Sequence, residues 1–199
     1  MNAVRTLAIA LSVLCLSAIG ARSAAAAEPA TMDVFDKPLR QVLTRDAPKL
    51  ILYTNPNTRD SVSGAGPLMA SHLKGINYIS VVHVDLRGVP GFLMGFARKL
   101  MQTSQAETNE TNAEYLAAAG IRPKPEETDL THVVMEPDGA GHELMGLAKD
   151  FRQGLAVVLD RAGREILRTP FPANTAAVEN ALRVAAQTPL SASQVPAAH

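Results

Sequence analysis

Lys49–Val84 reads KLILYTNPNTRDSVSGAGPLMASHLKGINYISVVHV. It opens with a short apolar run, Lys49–Tyr53 (KLILY), of the length and composition of a buried strand. Asn55-Pro56-Asn57 ends that run with turn residues. Gly64–Lys74 carries Leu68, Met69 and Leu73 at helical spacing, and Gly75 supplies a C-cap. Tyr78–Val84 (YISVVHV) is rich in β-branched residues and reads as a second strand. Strand, helix and strand in succession form the unit from which parallel sheets are built, with a right-handed crossover.

The pattern continues downstream. Pro90 is placed to open a helix over Gly91–Gln102, with Phe92, Phe96 and Leu100 on one face, expected in the core. The competing reading of Phe92-Leu93-Met94-Gly95-Phe96 is an exposed, adaptable partner surface. Thr103–Asn112 is polar and reads as loop, Ala113–Ala119 as a short helix stopped by Gly120, and Pro123, Pro125 and two glutamates as a surface excursion. Together 103–127 form a polar insertion. Thr131–Met135 is a third strand, and Pro137-Asp138-Gly139 a turn. His142–Leu147 fits a short helix or a strand. Leu155–Leu159, Asp160–Gly163 and Arg164–Arg168 form a hairpin. Asn174 is placed to cap a last helix, Thr175–Gln187, with Val178, Ala181, Leu182 and Ala185 inward. The expected fold is α/β: a central mixed sheet with helices on both faces, ending in a β-hairpin and a helix. One domain covers 49–188, after a lead-in over 28–48 with an amphipathic piece at Leu39–Leu43. The Ser/Ala/Pro-rich stretch 189–199 is expected to be a disordered tail.

Upstream, Met1–Thr6 carries Arg5, Leu7–Ile19 is apolar apart from Ser12 and Ser17, and Ala24–Ala27 precedes Glu28-Pro29. Charged, apolar and small-residue regions in that order are the pattern of a secretory signal peptide over residues 1–27, cut after Ala27. The apolar stretch falls short of the ~20 residues a membrane span needs. The expected location is the periplasm, or outside the cell, with no membrane attachment after cleavage. The sole cysteine, Cys15, lies in the leader, so the exported chain would have no thiol chemistry and no intrachain disulfide. The whole chain has 19 basic and 19 acidic residues. Removing Arg5 and Arg22 leaves a net charge of −2, with no basic excess for phosphate backbones, so no nucleic-acid partner is expected.

The element order over Lys49–Gln187 resembles the thioredoxin fold. An apolar strand leads through the loop Tyr53–Gly64 into a helix, and LAVVLDRAGREILR (Leu155–Arg168) is similar to the thioredoxin-like and peroxiredoxin-like hairpin. VDLRGVPG (Val84–Gly91), with VVMEPDG and GLAVVLDRAGRE, resembles the small exported YtfJ-type family, whose biochemical role is unassigned. The resemblance implies a fold without its usual activity. Where thioredoxins carry Cys-x-x-Cys this chain has Asn57-Thr58-Arg59-Asp60, and where they carry a cis-proline before the hairpin it has Gly154-Leu155-Ala156.

The leading candidate site is the loop Asn55–Gly64 (NPNTRDSVSG), at the carboxyl end of a parallel strand where open α/β sheets bind ligands. Asn55, Asn57, Thr58, Arg59, Asp60 and Ser61 are the candidate ligand-binding residues, with Arg59 and free backbone N–H groups suited to a carboxylate or phosphate. The competing reading is an ordinary polar loop with Asp60, Ser61 or Ser63 as helix cap. His83 and Asp85 share one strand face and His132 sits on a neighbouring strand, which makes a metal site the second candidate. Scattered edge histidines are the competing reading. Asp85, Asp138 and Asp160 each precede a glycine turn, where turn chemistry competes with acid–base pairing. No serine lies in a Gly-x-Ser-x-Gly elbow. The expected function is that of an exported binding or accessory protein holding a protein partner or a small anionic ligand, with no cofactor. The alternatives are a non-thiol, metal-assisted enzyme and a regulatory or stress-response component.

Overall fold

The computed structural model describes residues 32–58, 68, 70–122 and 128–188. The leader, the tail after Thr188, residues 59–67 and the proline-rich piece 123–127 lie outside the described residues. A five-residue helix, α1 (Leu39–Leu43), leads into β1 (Lys49–Thr54) and a 3₁₀ turn at Pro56–Thr58. A second 3₁₀ turn, Ala70–Lys74, precedes β2 (Ile79–Asp85). A third, Gly91–Leu93, opens α2 (Met94–Ala118). Then come β3 (Thr131–Glu136), α3 (Ala140–Leu144), β4 (Gly154–Leu159), β5 (Glu165–Phe171) and α4 (Thr175–Gln187).

The five strands form one sheet in the order β3-β2-β1-β4-β5. The first three are parallel, with Ile51 opposite Val81 and Val81 opposite His132. β4 runs antiparallel to β1, and β5 antiparallel to β4. All six residues of β1 are buried, as a central strand covered on both faces requires. On one face Leu50, Leu52, Ala156 and Val158 pack with Tyr78, Phe171 and the inner residues of α4, Val178 and Leu182. On the other, Ile79, Val81 and Val134 pack under Leu116 of α2 and Leu39 and Val42 of α1, while Ile51, Tyr53, Val157 and Leu159 lie under Met145 and Leu147. The expected α/β sheet with helices on both faces is present, and the first half of the ambiguous His142–Leu147 segment falls in α3, with no strand in the rest.

Three local expectations are corrected. Thr103–Asn112 is the middle of the 25-residue α2, not a loop. Its polarity has a structural use, because α2 lies along the open edge of β3. Gln105 Oε1 accepts from Val133 N at 2.7 Å, and Asn109 Oδ1 accepts from Leu130 N at 3.0 Å and Thr131 N at 2.7 Å. Asn109 Nδ2 donates to Thr131 O at 3.0 Å, and Asn112 Nδ2 to Thr131 Oγ1 at 3.1 Å. Amides replace the missing neighbouring strand. Phe92, Phe96 and Leu100 are exposed rather than core, and Leu73 is also exposed. Asn174 makes no side-chain cap on α4; its Nδ2 donates to Thr169 Oγ1 at 2.6 Å.

His72 stacks on Tyr78 with ring centroids 4.5 Å apart, and its Nδ1 donates to Ile76 O at 2.9 Å. Burial pushes its pKa down to about 4, against a smaller opposing effect of that hydrogen bond. Between pH 6.5 and about 4 the unfolded chain binds a proton at His72 that the folded chain refuses. This contribution to stability is complete above pH 6.5 and is lost as pH falls, by about 1.4 kcal/mol per unit. Urea midpoints of wild type and His72→Gln between pH 7 and pH 4 are expected to show the steeper loss in wild type, and equal slopes would refute it. Asn109→Leu strands several backbone groups of β3 and is expected to cost about 2 kcal/mol or more. The exposed Thr103→Ala should stay within about 0.5 kcal/mol; urea denaturation compares the two.

Candidate functional site

Asn55 is the hinge of the candidate loop. It is 3% exposed, and its Oδ1 accepts from Asn57 N at 2.9 Å and Thr58 N at 3.0 Å, an Asx turn. Its Nδ2 donates to Phe151 O at 2.9 Å. Thr58 is also buried, its hydroxyl 2.8 Å from Thr54 Oγ1 and accepting from Asn55 N at 2.9 Å. Asn55 and Thr58 are thus committed to holding the loop's shape, and Asn57 alone of the described candidates faces outward. Arg59, Asp60 and Ser61 lie outside the described residues.

Directly beneath this loop is a polar cluster that the metal expectation identified only in part. Glu136, at the end of β3, is 5% exposed and bridges two imidazoles. His83 Nδ1 donates to its Oε1 at 2.5 Å and His142 Nδ1 to its Oε2 at 2.7 Å, with His142 N adding a third bond at 3.1 Å. His142 Nε2 donates to Thr54 O at 3.0 Å. Burial pushes the Glu136 carboxyl up, but the hydrogen bonds and charges of His142 and His83 together outweigh it and leave the group well below the usual carboxylate range. Tyr53 stacks on His83 at 4.8 Å and meets His142 edge-on at 5.3 Å. The cluster ties β1, β2, β3 and α3 together at the carboxyl end of the sheet.

His83, Asp85 and His132 are not brought together. His83 joins Glu136, while Asp85 is bound by its own loop through Arg87 N at 3.0 Å and Arg87 Nη2 at 2.6 Å. Arg87 also reaches Glu143 at 2.8 Å. His132 donates through Nδ1 to Asp33 Oδ2 at 2.8 Å and through Nε2 to Asp129 O at 3.2 Å. Burial raises the Asp33 carboxyl, yet the hydrogen bonds from His132, Lys37 N, Gln105 and Phe35 N leave it below its ordinary value. Among the described residues no group of three or more His, Cys, Asp or Glu could hold a metal ion. The three turn aspartates do turn work: Asp85, Asp138 and Asp160 accept from Arg87 N, Ala140 N and Arg164 N. Glu136 had one sequence signal, a carboxylate ending an apolar strand; it stands in register with Asp85, two residues beyond His83.

The sheet has β1 and its parallel neighbours on one side, an antiparallel hairpin paired to β1 on the other, and a final helix over the hairpin. The chain has the thioredoxin-like fold. No family model and no curated protein matches the sequence. Among solved structures, a Chlorobium tepidum protein assigned as DsbE, a thiol:disulfide interchange protein, is similar at 16% identity, over 79% of this chain and 92% of that one, with a TM-score of 0.48. The exposed lipoprotein thioredoxin Etrx1 of Streptococcus pneumoniae is similar at 13% identity, over 77% and 96%, with a TM-score of 0.46. BsSco, of the Sco family of cytochrome c oxidase assembly proteins, is similar at 9% identity, over 80% and 91%, with a TM-score of 0.48. The closer YtfJ-type resemblance rests on its sequence segments alone. This thioredoxin-like chain has a single cysteine, Cys15, and none at residues 57–60, so the position before the first crossover cannot perform dithiol exchange. Among the described residues the one cis peptide bond is Phe171–Pro172, at the far end of the hairpin.

Gly141, in α3, sits against the cluster, where an added Cβ would overlap Glu136 Oε1. Gly141→Ala is expected to lower stability by about 1–3 kcal/mol through overpacking. Gly95→Ala, on the exposed start of α2 with open space around it, should raise stability by up to about 1 kcal/mol. Thermal melts of the two variants check the contrast; equal effects would deny Gly141 its special place.

Proposed function

We propose that this chain is an exported, non-redox thioredoxin-like protein of the periplasm or extracellular space that works as an accessory protein by docking a protein partner on the 3₁₀ turn Gly91–Leu93 and the first turns of α2. One observation carries the reading. Phe92 is 86% exposed, Phe96 70% and Leu100 48%, at a spacing of four residues that aligns them on one helix face. Leu93 adds to the patch at 40%. The lead-in brings more apolar surface to the same helix: Val34 O accepts from Arg98 Nε at 3.1 Å and Gln102 Nε2 at 2.8 Å, and the adjoining Phe35 is half exposed. Scattered single apolar residues are ordinary on a surface, whereas contiguous ones mark interaction sites. Aromatic anchors of this kind dominate interface energetics.

The support for export is the leader-like order of Met1–Ala27. Among the described residues no helix is long and apolar enough to cross a membrane. With no cysteine in the loop after β1 and the Asn55 and Thr58 side chains tied up in the turn, the reading needs no chemistry at the usual thioredoxin position.

A photoreactive amino acid at Leu93 in cells is expected to yield a discrete cross-linked product. The Phe92→Asp/Phe96→Asp variant should abolish it without lowering the melting temperature, because neither ring is buried. A probe at Ile166, exposed on the opposite edge of the sheet, should give no product. No cross-link from position 93, or one that survives the double substitution, would sink the docking reading.

A further inference from the structure

Beside the loop at the carboxyl edge is a cleft of about 400 Å³ lined, among the described residues, by Asn57, Asp150 and Arg152. We propose that it binds a small zwitterion, an α-amino acid or short peptide presenting an ammonium and a carboxylate together.

The cleft is held open by the fold. Asn57 belongs to the 3₁₀ turn after β1, and Asp150 and Arg152 belong to the segment between α3 and β4. Asn55 joins the two walls: its Oδ1 fixes the backbone of Asn57 on one side while its Nδ2 holds Phe151 O on the other. The Phe151 ring packs against His142, with centroids 5.5 Å apart, so the wall is also anchored to the Glu136 cluster. With Phe151 turned inward, its neighbours Asp150 and Arg152 are left exposed and line the opening. Binding there would need little reordering of backbone, which is where preorganised sites gain affinity.

The charges define the ligand. Asp150 and Arg152 line one cleft with opposite sign, yet neither takes part in an ion pair among the described residues. The nearby cation Lys149 is directed elsewhere, its Cε lying against Gly88. A guanidinium offers a carboxylate two parallel donors, a carboxylate accepts from an ammonium, and the Asn57 amide can serve either. A simple anion would leave Asp150 facing like charge; a simple cation would do the same at Arg152. The volume lies toward the small end of ligand pockets, roughly 300–1,000 Å³, which suits one or two amino-acid units.

Isothermal titration of the full chain with L-alanine and with L-alanyl-L-alanine tests this, against acetate and methylammonium. Saturable binding of at least one zwitterion is expected, with the stronger of the two naming the source as free amino acid or peptide. The single-charge probes should bind at least about tenfold more weakly, and Arg152→Gln and Asp150→Asn should each weaken zwitterion binding by about tenfold or more. Both substitutions are on the surface, so folding is not at stake. Absence of saturation, equal binding of acetate, or an effect of only one of the two substitutions would overturn the proposal. The Phe92→Asp/Phe96→Asp variant should bind the zwitterion unchanged, so this site and the docking face stand or fall separately.

Discussion

A carboxylate buried between two imidazoles holds the carboxyl end of the sheet together. Glu136 arrives from β3, His83 from β2 and His142 from α3, and His142 passes the connection on to the last carbonyl of β1, Thr54 O. An ion taken out of water is costly unless its lone pairs are satisfied, and breaking such a group by removing one partner costs about 3–5 kcal/mol. Here the Glu136 oxygens receive two ring N–H groups and one backbone N–H, so the charge is held rather than merely enclosed. The segment after α3 and the turn after β1 inherit their positions from this point, through Phe151 and Asn55.

The helix α2 solves a different problem with the same economy of parts. A parallel sheet whose last strand is β3 presents unpaired backbone groups along one edge, an invitation to wrong pairing. Gln105 and Asn109 meet those groups with amide side chains, Asn112 holds the Thr131 hydroxyl beside them, and Val34 N adds a bond to Val133 O at 2.8 Å. The inner face of α2 is therefore polar where it meets the edge and apolar only near its end, at Leu116. Its outer face carries Phe96 and Leu100, continued by Phe92 of the 3₁₀ turn before it, the reverse of an ordinary amphipathic surface helix. The opposite edge, β5, is blunted within the strand by Pro170, which has no N–H to offer.

Much of the fold was legible because strands and crossovers leave a strong period. KLILY, YISVVHV, THVVM and LAVVL are the strands β1 to β4, and the hairpin, the final helix and its inward residues stand near where their patterns put them. The reading failed where a side chain's role depended on something distant in the chain. Thr103–Asn112 looked like loop because its amides have no apolar stripe, and nothing local reveals that they face a strand edge twenty residues on. Phe92, Phe96 and Leu100 looked like core because spacing identifies a face but not what covers it. In the candidate site, Asn55 was recognisable as turn chemistry, whereas the burial of Thr58 needed the turn closed against Thr54, and the partnership of Glu136 with His142 needed α3 folded back over β1.

The sequence by itself determined the strand–helix order and the lack of a thiol at residues 57–60, because these follow from periodicity and residue chemistry along the chain. Only the tertiary structure decided which polar residues are buried and which apolar ones are exposed. Those choices depend on groups far apart in the chain meeting in space. Asp33 meets His132, Glu136 meets His83, and Gln105 meets Val133, so a polar side chain goes inside where a partner awaits it. Phe92 and Phe96 stay outside because no segment among the described residues reaches them.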